Sequence, residues 1–269
     1  MSTSRTFLFM PESAYGPTNN CIGIANVLRE RGHRAVFAAE RSWEGKLEVL
    51  GFEEDLVDLA PPPQPDPNGV EPDAGQFWID FIRDTAPEFR KPTIEQLGTF
   101  IQPTWQALID GAKYCEPQLR EIIDRAGPDV IVEDNVVGFP ALVTARAPYV
   151  RIMSCNPLEM GGADVPPVFS GYPVGDRTGW DDFRREYERT HREMWNDYDD
   201  WVRSCGAPPL ATSTSSTPAS TSTSRCTPRR STTPTCVPSI RHGIGSTRRC
   251  ARPTSRSRFP SNCVAATAP

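Results

Sequence analysis

Two carboxylates stand where short apolar runs give way to loops: Glu12 follows TFLFMP, and Asp134 follows DVIVE. A carboxylate at a strand end can take the proton of a hydroxyl held within hydrogen-bond reach, and it can equally cap a helix that follows. For Asp134 both uses are open, because VVGFPAL after it suits a helix. The loop around Glu12, PESAYGPTNN, adds Tyr15, whose phenol is able only to position a hydroxyl, and Gly16 and Asn19 as further candidate contacts. For Asn19 and Asn20, capping of the next helix is the competing use. A third loop, SCNPLEM, carries Asn156. Phe77, Trp78, Phe81 and Ile82 recur at helical spacing, which serves either a pocket for an apolar small molecule or packing against a sheet. His33 lies at a helix-to-strand turn and reads as structural, and His191 in THREM reads as a solvated residue on a charged helix.

Other chemistries are excluded by composition. Cys21, Cys115, Cys155 and Cys205 show no metal-ligand spacing, nor do Cys226, Cys236, Cys250 and Cys263, so buried free thiols are expected and a metal site is not. The run after the first strand lacks GxGxxG, against a dinucleotide site there. The first 210 residues carry 20 Lys and Arg against 34 Asp and Glu, a balance of −14. That balance argues against binding a nucleic-acid backbone, which needs cations to displace counterions. No apolar run approaches the roughly 20 residues of a bilayer helix, and MSTSRTFLFMPES is too short for a secretory signal. A cytoplasmic location without a membrane span is expected.

The elements that must carry these residues alternate between strand and helix. TFLFM predicts a first strand, and Ile22, Ala25, Val27 and Leu28 predict a helix stopped by Gly32. RAVFAA, residues 34 to 39, completes a βαβ unit; residues 43 to 50 suit a second helix and EDLVDL, from Glu54, a third strand. The Pro-rich stretch from Ala60 to Gly75 reads as an exposed loop. Residues 76 to 126 read as helices divided by Pro87, Pro92, Pro103 and Pro117. DVIVE, a short helix from Phe139 to Arg146, YVRIM and a charged helix from Trp180 to Cys205 follow. This alternation predicts an α/β fold, a doubly wound parallel Rossmann-like sheet over residues 1–210, whose ligands sit beyond the carboxyl ends of its strands.

Residues 211–269 are written differently. They hold 24 Ser and Thr, 9 Arg, 7 Pro and no carboxylate, a balance of +9 that the net −5 conceals. Such a segment has too little apolar surface to offset ordering entropy and reads as a disordered tail. The reading preferred over that one is a frameshift product from about residue 211 onward. ACC-TCx codons for Thr-Ser, read one base earlier, become NAC-CTC, and a Leu-alternating, strand-like segment would then lie hidden in ATSTSSTPASTSTS.

MPESAYGPTNNCIGIANVLRERGHRAVFAAE resembles the opening of family 1 glycosyltransferases of the GT-B fold, which includes the macrolide-type and UDP-sugar-dependent enzymes. Their first loop has a Gly-His-x-Asn-Pro signature and their first helix leads to RGH; Arg31, Gly32 and His33 match RGH, and Gly16 and Asn19 match two loop positions. GPDVIVEDNVVGFPALVTARAPYVRI is similar to the family's fourth strand, its Asp, the next helix and the fifth strand. The resemblance spans residues 6 to about 210 and implies the acceptor-binding half of a transferase. It implies a small apolar hydroxyl acceptor, a nucleotide sugar as donor substrate, inversion at the anomeric carbon, and no metal or other cofactor. It places Asp134 as the Asp that orients a His base, yet the base position is Pro17, which leaves Glu12 and Asp134 as replacements. No His- and Gly-rich diphosphate loop follows Ala211. Two functions are therefore expected as alternatives: a truncated glycosyltransferase, or a non-catalytic binder of small molecules or partners that kept the acceptor fold.

Overall fold

The computed structural model of the chain describes residues 3–62, 76–154, 162 and 164–210, and for 76–78 the backbone alone. The expectations for most of the loop from Ala60 to Gly75, for Asn156 and for the tail fall outside the described residues, as do those for the side chains of Phe77 and Trp78. The strands β1 (Thr6–Pro11), β2 (Arg34–Phe37), β3 (Glu53–Glu54), β4 (Val130–Asp134) and β5 (Tyr149–Arg151) form one parallel sheet in the order β3-β2-β1-β4-β5. The doubly wound α/β reading holds.

Alternation along the strands sends residues to two cores. Phe9, Phe37 and Val132 meet Cys21 and Ala25 of α1 (Tyr15–Glu30) on one face, together with Trp43, Leu47 and Phe52. Leu8, Met10, Val36 and Ile131 meet Trp105, Ile109, Leu119 and Ile122 of α4 (Gln102–Ala126) on the other. That second face also takes Leu142 of α5 (Pro140–Thr144) and Met194, Tyr198 and Val202 of α6 (Trp180–Ser204). Each fully buried side chain of this kind contributes about 1.5–3 kcal/mol relative to exposure. The stripes on α4 are thus core.

Several local expectations are corrected. The first helix begins at Tyr15, not at an Asn cap; Asn19 and Asn20 lie inside it and are exposed, while the carboxylate of Glu12 accepts the Ala14 N–H at 3.0 Å. Pro17 falls in the first turn, where its missing N–H has no intrahelical partner to lose. Residues 43 to 50 are not an α-helix but two short 3₁₀ turns, Arg41–Trp43 and Glu48–Leu50. The carboxylate of Glu54 accepts the N–H groups of Gly45 (2.7 Å), Leu47 (2.5 Å) and Glu48 (3.0 Å), and Gly45 at φ 73° turns the chain between them. β3 is correspondingly short, and its continuation touches the sheet by one bridge, Glu40 to Val57.

Between β3 and β4 run α2 (Gln76–Thr85), a 3₁₀ turn at Ala86–Arg90, α3 (Thr93–Gln96), a π-helical segment at Leu97–Ile101 and α4. Pro87 and Pro92 separate helices and Pro103 sits in the first turn of α4, but Pro117 lies inside α4 without dividing it. An interior proline costs about 3 kcal/mol, which burial of Cys115, Leu119 and Ile122 on either side offsets. On α2, Ile82 is exposed, whereas the Phe81 ring stacks 6.0 Å from Phe100.

Candidate functional site

β1 leads through α1 to β2 on one side of the sheet, and β4 leads through α5 to β5 on the other. The chain direction therefore diverges between β1 and β4, which makes that pair the switch point at whose carboxyl-end crevice doubly wound sheets take their ligands. Pro11 is in register with Asp134, and the Glu12 N–H donates to the Asp134 carbonyl at 2.8 Å. The two carboxylates singled out from the sequence are brought together at this one point.

Asp134 is 1 % exposed and follows Val132 on the α1 face. One oxygen, Oδ1, accepts from Ser154 Oγ at 2.7 Å and from the Ser154 N–H at 3.4 Å. The other, Oδ2, has no hydrogen-bond partner among the described residues. Its use as a helix cap is corrected: α5 starts six residues later, behind Phe139, and its Ala141 N–H is satisfied by Glu116 at 3.0 Å. A buried carboxylate with one free oxygen is a costly arrangement unless something polar comes to it.

Glu12 is half-buried, and burial pushes its pKa above the ordinary carboxylate value, against bonds from Ala14 and Ser13 and with a push from the Asp134 charge. A raised carboxyl pKa brings a group toward the range useful for taking a proton. Thr18, fully buried, donates its hydroxyl to the Glu12 carbonyl at 3.0 Å and ties α1 to the strand end. Tyr15 is 68 % exposed, with its ring edge-on to Trp43 at 5.1 Å, and the Trp43 indole donates to the Ser13 carbonyl at 2.8 Å. Gly16 and Asn19 are exposed on the first turns of α1. Cys21 is buried below them, its thiol pushed up to about 12 by desolvation and by Asp134, and is inert as a nucleophile.

Pro17 is buried in the first turn of α1, so the position that resemblance assigns to a His base holds an apolar ring. Ser154 was missed in the sequence; its one signal was its place just after YVRIM, on the strand neighbouring DVIVE. His33 is structural, its ring 5.5 Å from Phe7 and its Nδ1 accepting from the Arg5 N–H at 3.3 Å. The expectation of a solvated His191 is corrected. It is 2 % exposed, stacked on Tyr187 at 4.0 Å, with Nδ1 3.0 Å from the Tyr187 carbonyl. The α6 acids expected on an outer face pair locally, as Asp182 does with Arg185 and Asp199 with Arg203. Among the described residues no cluster of acids, His and Cys is arranged to hold a metal ion, and no helix is long and apolar enough to cross a membrane.

No protein-family model and no curated protein matches the chain. Solved structures overlap it loosely. The glycotransferase of kitacinnamycin has 17% identity over 79% of this chain and 43% of its own, with a TM-score of 0.45. The spinosyn rhamnosyltransferase SpnG complexed with spinosyn aglycone has 14% identity over 77% and 42%, with a TM-score of 0.41. The calicheamicin glycosyltransferase CalG4 has 14% identity over 77% and 44%, with a TM-score of 0.40. The chain spans less than half the length of each. Overlap this loose assigns no activity, and the chemistry rests on the crevice itself.

Proposed function

We propose that this chain is the acceptor-binding half of a family 1 glycosyltransferase of the GT-B fold, which holds a hydroxyl of a small apolar acceptor at the β1–β4 crevice for transfer of a sugar from a nucleotide sugar. The observation that carries the reading is the pairing of Glu12 and Asp134 at the switch point, with a buried Asp134 Oδ2 that has no hydrogen-bond partner among the described residues. An acceptor O–H donating to that oxygen would satisfy it, and loss of that proton as the hydroxyl attacks would be eased by the negative charge. Inversion follows if the donor is met from the opposite face. The resemblance of GPTNN and VIVEDNVVG to the family's two site segments supports the same reading.

The test uses the full chain with 2-naphthol as a small apolar hydroxyl compound, and UDP- and dTDP-glucose as donors. Expected is saturable 2-naphthol binding that Asp134→Asn weakens at least tenfold, since Asn presents a poorer acceptor to the hydroxyl. Formation of naphthyl glucoside with one nucleoside diphosphate released per glucose moved, and its loss in Asp134→Asn, would establish transfer. Naphthol binding without nucleotide binding would turn the reading into that of a non-catalytic binder, which the apolar Pro17 ring at the base position favours. No naphthol binding at all would overturn it.

A further inference from the structure

The residues that follow Asp134 are held from beneath the sheet by buried polar groups. Arg151, on β5, donates from Nη2 to the carbonyls of Asn135 at 3.1 Å and Val136 at 3.0 Å, the two residues immediately after Asp134. Asn135 in turn accepts the Val137 N–H on its own Oδ1 at 3.2 Å. Farther along, Tyr198 of α6 donates to the Gly138 carbonyl at 2.5 Å, and Glu116 of α4 takes the Ala141 N–H. The loop from Asn135 to Ala141 is therefore anchored at four points by side chains from three elements.

Arg151 stands beside a second carboxylate that the proposed chemistry does not use. Glu133 is fully buried on the α4 and α6 face, one residue before Asp134 and on the other side of the sheet. It receives the Tyr149 hydroxyl, and the Arg151 charge favours its ionised form. Alternation thus gives β4 one carboxylate on each face: Asp134 lies on the α1 side, and Glu133 lies on the other, in register with the arginine that fixes the backbone just past Asp134.

We infer that Arg151, in register with Glu133, which the Tyr149 hydroxyl bonds, is the positioning residue of the crevice: it fixes the β4–α5 loop and through it the direction in which the Asp134 carboxylate faces an acceptor. One nitrogen, Nη2, bonds both successive carbonyls, and the planar guanidinium holds that nitrogen in place, whereas a lysine ammonium on a flexible stem is less fixed. The inference rests on the acceptor-site reading for its functional meaning, but the geometry can be tested without it.

The experiment compares full-length wild type with Arg151→Met, Arg151→Lys and Tyr149→Phe. The readouts are the carboxyl ¹³C resonance of Asp134, amide exchange along the chain, and 2-naphthol affinity. Expected for Arg151→Met are a moved Asp134 resonance, exchange of Val137 and Ala141 faster by tenfold or more, and amides of β1 and β2 within twofold of wild type. Tyr149→Phe should move the same signals less, and Arg151→Lys should restore them only in part. If Arg151→Met does not fold, Tyr149→Phe carries the test. Loop exchange rising no more than that of β1 and β2, or an unmoved Asp134 resonance, overturns the inference. Where wild type binds 2-naphthol, about tenfold weaker binding by Arg151→Met supports it and unchanged binding overturns it. Where wild type binds none, the acceptor-site reading fails, and the resonance and exchange still decide the role of Arg151.

Discussion

Two buried groups give this chain opposing responses to acid. Glu133 is pushed up to about 7, first by desolvation, with Arg151 and the Tyr149 hydroxyl pulling down and Asp134 adding repulsion; Tyr198 and Glu116 stand near the same cluster. An acid with a raised folded pKa stabilises the fold below its unfolded value, near 4.5, and that contribution is lost as pH rises through 7. The difference corresponds to about 3 kcal/mol. His191 is pushed down to about 4 by desolvation, and its contribution is present above 6.5 and lost as pH falls through 4, again about 3 kcal/mol. The windows overlap with opposite sign, so wild-type stability is expected to change little between pH 5 and 6.5. Glu133→Gln should lose more stability on acidification over that range than wild type, the His191 slope then being opposed only by the raised Glu12 and Glu116. His191→Gln should gain stability, with the raised Glu12 and Glu116 acting in the same direction as Glu133. Urea midpoints at pH 5.0 and 6.5 for the three proteins decide this; parallel pH slopes in both variants would refute it. None of this was legible in the sequence, because THREM and DVIVED give residue types without their surroundings, and burial alone changes what His191 and Glu133 do.

The strands and the first helix were legible because their apolar periodicity is what burial on two faces of a sheet requires: TFLFM, RAVF and VIVE became β1, β2 and β4 nearly as written. What failed were boundaries fixed by one distant carboxylate. Glu54 replaces the expected helix over residues 43–50 by gathering three N–H groups, a competition that periodicity does not register. α1 likewise starts at Tyr15, four residues ahead of the Asn pair, behind an Ala14 whose N–H the nearby Glu12 carboxylate accepts. Of the site, Glu12 and Asp134 were visible as strand ends, whereas their juxtaposition depended on the β1–β4 pairing and Ser154 on the β4–β5 pairing. The Glu54 nest makes a prediction at this scale. Glu54→Ala leaves two partly buried N–H groups and one exposed one without their acceptor and should cost about 2 kcal/mol. Because Trp43 packs in the same segment against Phe37 and Phe52 neighbours, its fluorescence should shift to the red at lower urea than in wild type. A midpoint within error of wild type would show that the turn holds without the carboxylate.

Across the whole chain the charge divides at Ala211, −14 before it and +9 after it, and Leu210, just before that divide, is 5 % exposed and donates its N–H to Asp199 at 2.6 Å. The side chains of Ala207 and Leu210 lie in the same core as Tyr198 and Val202. The next letters then change to alternating Ser and Thr, with no carboxylate in 59 residues although the preceding 210 hold 34. A change of reading frame accounts for both the abruptness and the alternation, since Thr-Ser repeats from ACC-TCx codons become Leu-alternating text when read one base earlier. Half-buried strands alternate in that way. The prediction is that resequencing the coding DNA through codon 211 reveals an open frame, one base displaced, whose translation alternates Leu with polar residues and regains Asp and Glu at about the density of residues 1–210. An alternative frame closed by early stops, or one without that alternation, would instead make the Ser, Thr and Arg text a genuine linker, soluble by its charge and lacking the apolar surface to order itself.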